Sequence, residues 1–217
     1  MAKKRRGGPE INSSSMADIA FLLLIFFLVT TTIANDRGLS IMLPPPPEQL
    51  EQMDIKIPEK NLFKIQVNSF DKVLVEGEPM EDFSKLRPMI KEFILNFGAP
   101  DADYVQVYNA MPASLKGLSK RDPRSSDHPK VAIVTYKTDR GTSYKTYIEL
   151  LDEIQGAYYD IYADRIGVTN ARWREIANDL ANPDNRKLYD QGRGKLPDGS
   201  IAIPMNISIA EPTKAGG

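Results

Sequence analysis

The chain has 217 residues, 41% of them hydrophobic, and a formal net charge of −1, which leaves room for one or two compact domains beside any membrane segment. It has no cysteine, which excludes disulfides and thiolate chemistry, and it has no overall basic patch of the kind that binds nucleic acid. The small net charge hides an uneven distribution: Lys3, Lys4, Arg5 and Arg6 head the chain, and no further lysine or arginine follows until Arg37.

Residues 1–15 read as a basic tail that stays in the cytoplasm by the positive-inside rule, with the remainder of the chain emerging on the other side. Residues 16–34 read as a transmembrane helix. Positions 19–33 contain no charge, proline or glycine, only aliphatic and aromatic residues, one alanine and the threonines Thr30, Thr31 and Thr32. A cleavable signal peptide has the same basic start, but its apolar region is shorter. The anomaly is Asp18. A carboxylate costs about 2.5 to 3.5 kcal/mol at the centre of an inserted helix, and an acid in such a segment is by default functional. At helical spacing Asp18 shares a face with Phe21, Leu22, Ile25, Leu28, Val29 and Thr32. Lipid offers it no partner, and a single helix cannot enclose its own aspartate, so the segment needs helices from a partner protein or a second copy. Ser13, Ser14 and Ser15 before it and the three threonines after it suit either contacts to water or helix capping and back-bonding.

Residues 35–60 read as a linker. The run Pro44, Pro45, Pro46, Pro47 suits polyproline II, a semi-rigid spacer extending about 3.1 Å per residue. Residues 61–217 read as the folded domain. Alternation at 63–67, turn residues at 68–72 and the apolar 73–75 predict a strand, a turn and a strand. Phe83, Leu86, Ile90, Phe93, Ile94 and Phe97 fall at intervals of three and four and predict a helix begun by Glu81, Asp82 or Ser84, kinked or delayed by Pro88 and stopped by 98–100. Residues 130–137 predict another strand. Thr142 or Ser143 caps a second helix with Tyr147, Leu150, Leu151, Ile154 and Tyr158 on its core side. Residues 201–203 and 206–209 read as one strand interrupted by Pro204, hence at an edge or with a bulge. The order ββαβαβ predicts a small two-layer α+β domain. Residues 99–128 and 165–200 exceed that pattern and read as insertions, the second holding a helix capped by Asn170 with Trp173, Ile176, Ala177 and Leu180 inward and Pro183 ending it.

Enzyme chemistry finds no support. His128, the only histidine, lies in a polar loop with no second histidine or cysteine to share a metal, and reads as exposed. The stretch from Gly192 to Lys195 is too short for a phosphate loop. No cofactor is expected.

Glu10, Ile11 and Asn12, followed by Asp18 six positions after the asparagine, a Leu/Ile/Phe-rich helix and the Leu43-Pro44 step, together resemble the N-terminal signature of the ExbD/TolR family. The three serines at 13–15 stand where that family usually has Val-Thr-Pro. The resemblance covers residues 10–44 closely and the rest by topology. It implies a subunit of an inner-membrane proton channel with a periplasmic C-terminal domain. Asp18 would then be the proton-carrying group, and Ser14, Ser15, Thr30, Thr31 and Thr32 a polar lining of its path. The implied partners are a polytopic ring protein of the ExbB or TolQ kind, a second copy of the chain and a TonB-like protein, with outer-membrane transport as the process energised. An envelope-integrity subunit of the TolR kind, its periplasmic domain binding peptidoglycan, is the alternative within the family. A secreted or tethered binding module with no proton role is the alternative outside it.

Overall fold

The computed structural model describes residues 13–31 and 57–213, in two compact units. The first contributes one helix, α1 (Ser13–Thr31). Most of the basic tail, the end of the expected membrane segment at 32–34, most of the linker with its prolines, and the Leu43-Pro44 step lie outside the described residues.

The second unit runs β1 (Leu62–Val67), β2 (Val73–Val75), β3 (Glu78–Met80), α2 (Leu86–Ile94), α3 (Ala102–Ala110), α4 (Ala113–Lys116), β4 (Ile133–Asp139), α5 (Tyr144–Ile166), α6 (Asn170–Asn178), α7 (Pro183–Arg193) and β5 (Ile207–Thr213). The expected ββαβαβ order is present with additions: a short third strand, and helices in both of the long segments. The five strands form one mixed sheet in the order β3-β2-β1-β4-β5. The β1–β2 and β2–β3 pairs are antiparallel, and β1–β4 and β4–β5 are parallel.

Period-two patterning makes this a two-layer structure. Phe63, Ile65 and Val67 of β1, Val73 and Val75 of β2, and Val134, Tyr136 and Thr138 of β4 are buried, whereas Gln66, Leu74 and Lys137 between them are exposed. The buried face meets the helices: Phe93 of α2 lies against Phe63 with ring centroids 5.3 Å apart, and the Tyr136 hydroxyl donates to the Tyr147 carbonyl of α5 at 3.2 Å. Across the helix layer, Arg87 of α2 holds Glu153 of α5 through two bonds of 2.9 and 3.0 Å. Because β1 and β4 are parallel, their starts share one end of the sheet. There Asn61 donates to Asp127 at 3.0 Å and accepts from its backbone N–H at 2.9 Å. At the other end the β1–β2 turn meets the loop before α5, where the Ser143 N–H donates to the Asp71 carboxylate at 2.8 Å.

Pro88 does not interrupt α2. Asp82 caps a 3-10 turn at Phe83–Lys85 that runs directly into α2, so Pro88 falls in the first α-helical turn, where an N–H lacks a partner anyway. Ser143 caps α5 by accepting from the Thr146 N–H, and Gly167 closes it in the left-handed conformation at φ 71°. Thr169 rather than Asn170 caps α6. Pro183 does not end that helix: it opens α7 behind an Asn182 cap, a position its fixed φ favours.

The last strand also differs from expectation. Residues 201–203 stay out of the sheet because they serve the helices: Ala202 N–H donates to Gly194 O and Ile203 N–H to Arg193 O, while Tyr162 donates its hydroxyl to the Ile203 carbonyl at 2.9 Å. Only after Pro204 does the chain enter the sheet, at Ile207, as an edge strand with an irregular register near Asp139.

In the long segment before β4, Asn96 organises the loop. Its side-chain amide donates to the carbonyls of Asp122 at 2.7 Å and Ser126 at 2.9 Å and accepts from the Asp122 N–H at 3.0 Å. In the other long segment, Trp173 is buried between Tyr162 and Tyr189, with centroids 5.2 and 5.4 Å away.

Candidate functional site

At 1.5 Å per residue, α1 is about 28 Å long. Its apolar side chains are open on every side: Leu22, Leu23, Leu24 and Ile25 are 58, 51, 58 and 41% exposed, and four consecutive residues at 100° steps sample the whole circumference. A helix that is apolar all round is stable only where hydrocarbon or other protein surrounds it. Among the described residues no helix is long and apolar enough to cross a membrane. The side chains described on α1 end at Phe27, and the expected span over 16–34 reaches beyond them.

Asp18 sits in the second turn of α1, exposed, and makes no ion pair with a described residue. Ser14 and Ser15 lie four and three positions before it, so helical geometry puts both on its face one turn away. Both serines belong to the helix itself, which starts at Ser13. Thr30 and Thr31 stand in the last turn, about 18 Å further along the axis, and Thr32 is outside the described residues. The helix therefore groups Asp18 with the serines and not with the threonines.

In the second unit the structure corrects the reading of His128. It is 8% exposed and stacked on Tyr104, ring centroids 3.8 Å apart. Its Nε2 is 3.9 Å from the Asp101 carboxylate, and its Nδ1 is buried without a hydrogen-bond partner. The loop sequence gave no sign of this, because the burial comes from α3, which packs against it from another part of the chain. Burial holds the imidazole pKa below its ordinary value, against the opposing pull of Asp101 and Asp127. The folded protein therefore binds fewer protons here than the unfolded chain as pH falls below about 6.5, and stability drops in that range. Denaturant midpoints at pH 7.5 and 5.5 should show the loss, and His128→Leu, which cannot titrate, should flatten the difference. An unchanged slope in that variant would clear His128 of the effect. Among the described residues no cluster of three or more histidine or acidic side chains could hold a metal.

The family described as biopolymer transport protein ExbD/TolR matches residues 4–163. No curated protein and no solved structure matches the chain.

Proposed function

The chain belongs to the ExbD/TolR family, and from that membership we propose that it is an ExbD-type subunit of an inner-membrane motor in which Asp18 carries the proton that energises outer-membrane transport. The family is one of transport proteins associated with the inner membrane, not of enzymes, and its members work with ExbB or TolQ partners. The observation that carries the reading is the single acid on a helix that is otherwise apolar from Met16 to Phe27. A low-dielectric wall favours the neutral carboxyl and a polar path the carboxylate, so alternation between the two couples proton passage to movement. Each crossing releases about 2.3 kcal/mol per 100 mV.

In this arrangement residues 1–15 stay in the cytoplasm, 16–34 cross the membrane, and 35–60 span part of the periplasm as a spacer. The unit built on the five-stranded sheet is periplasmic. A ring-forming polytopic partner and a second copy of the chain surround Asp18, with Ser14, Ser15 and the threonines 30–32 lining the way to and from it. A TonB-like protein receives the motion.

The test is fractionation of cells expressing the full chain, with intact mass of the purified product. The expected result is membrane recovery with residues 1–34 retained and a polytopic protein co-purifying. A soluble product starting near Asn35 would overturn the motor reading and favour a secreted binding module.

A further inference from the structure

Where the segment after the family match, which ends at residue 163, folds back on α3, the chain builds a cavity of about 570 Å³ between α3 and the segment that follows α7, within the range of small-molecule sites. Asp103 and Gln106 line it from α3, Arg165 from the last turn of α5, and Gly194, Lys195 and Asp198 from the loop after α7.

Arg165 is the unusual member. Its Nε and Nη1 are buried without hydrogen-bond partners, and among the described residues no carboxylate pairs with it. A guanidinium has five donors and stays protonated in proteins, so burying one unpaired is unfavourable. It is nonetheless packed into place: a Cβ on Gly194 would lie 2.9 Å from Nη2 and 3.1 Å from Cζ, so the glycine, at φ 71°, makes the room it occupies. The C-termini of α5 and α7 both end here, and their negative poles offset part of the charge. Neither supplies an acceptor within hydrogen-bond distance. The other cation, Lys195, is already paired with Asp190 at 3.0 Å.

The two acids on the wall are the complement. Asp198 is held by the N–H and hydroxyl of Ser200 at 2.9 and 2.7 Å, and neither it nor Asp103 forms an ion pair with a described residue. A cavity with an unpaired guanidinium in its floor and two exposed carboxylates on its wall matches a ligand that carries both signs.

We propose that this cavity binds a small zwitterion of the amino-acid or short-peptide class, its carboxylate held by Arg165 and its ammonium by Asp103 and Asp198. Arg165 supplies the charge and the guanidinium donors that suit a carboxylate. The acids admit such a ligand while repelling a doubly charged anion. The site is independent of Asp18 and of the proton reading.

The experiment is a ligand-dependent thermal shift of the full chain in detergent at constant ionic strength. The probes are glycylglycine, its N-acetylated form and inorganic phosphate. Glycylglycine should stabilise the protein saturably, the acetylated peptide and phosphate at least about tenfold more weakly, and Arg165→Met should weaken glycylglycine by about tenfold or more. Helical circular dichroism of the variant checks that it is folded. Asp198→Asn, which keeps an acceptor for Ser200, should bring glycylglycine and its acetylated form closer together in affinity. The proposal is overturned if glycylglycine gives no saturable shift, if the shift survives in folded Arg165→Met, or if phosphate or the acetylated peptide matches the free peptide.

Discussion

Asp18→Asn is expected to abolish the proton-driven activity while leaving the chain in the membrane at normal abundance. The amide has nearly the shape of the carboxyl and buries more easily, so neither helix formation nor insertion should suffer. What it loses is titration. An asparagine can hydrogen-bond to the same water or hydroxyl in every position of the helix, but it never changes charge, so no potential difference acts on it and no work is done. The measurement is energy-dependent uptake in cells, scored beside membrane abundance and recovery of the ring partner. Retained uptake would sink the proton-carrier assignment. Asp18→Glu should be intermediate, since it keeps the titrating group and displaces it by one methylene.

The largest effect on folding is expected at Trp173. Truncation to alanine removes the ring that joins α6 to Tyr162 of α5 and Tyr189 of α7, and such truncations typically cost about 3–5 kcal/mol. Chemical denaturation followed by circular dichroism should show that loss. Trp173→Phe should cost under about 2 kcal/mol, because the indole N–H is buried without a hydrogen-bond partner, and removing it offsets some of the lost volume. Gly192 belongs to the same contact: a Cβ there would stand 2.6 Å from Cη2 of Trp173 and nearer still to Cζ3. An equal loss in the phenylalanine variant would mean that the indole nitrogen has a role this packing does not explain.

Elements with their own period were legible in the sequence. The alternation of β1 and β4, the three-and-four spacing of α2 and α5 and the Ser143 cap are local signals, and they emerge where they stand in the chain. Residues 201–203 read as strand for the same reason, since a short apolar run has no period that separates strand from a segment packed under helices. Their fate was settled by Tyr162, about forty residues away. Pro183 shows a related ambiguity, because proline ends one helix and begins another with equal ease. At the candidate site the reverse holds: Asp18 stands out in sequence because it is the one charge of an apolar segment. His128 and Arg165 were invisible there. Their chemistry lies in what surrounds them, and those neighbours come from α3 and from the loop after α7.

The parallel pairing at the centre of the sheet also constrains how the domain is made. Leu62 pairs with Ile133, and Val134 with Ile207, so each central pair joins positions about seventy residues apart and closes late compared with a local hairpin. The β1–β2–β3 meander can form as soon as it is synthesised, but one edge of β1 stays open until β4 arrives, and one edge of β4 until the last strand is delivered. A nascent chain thus carries a succession of unpaired edges, each a template for mispairing with another copy. Completion of the sheet waits on residues 207–213, which makes the end of the described fold a timing element as well as a structural one.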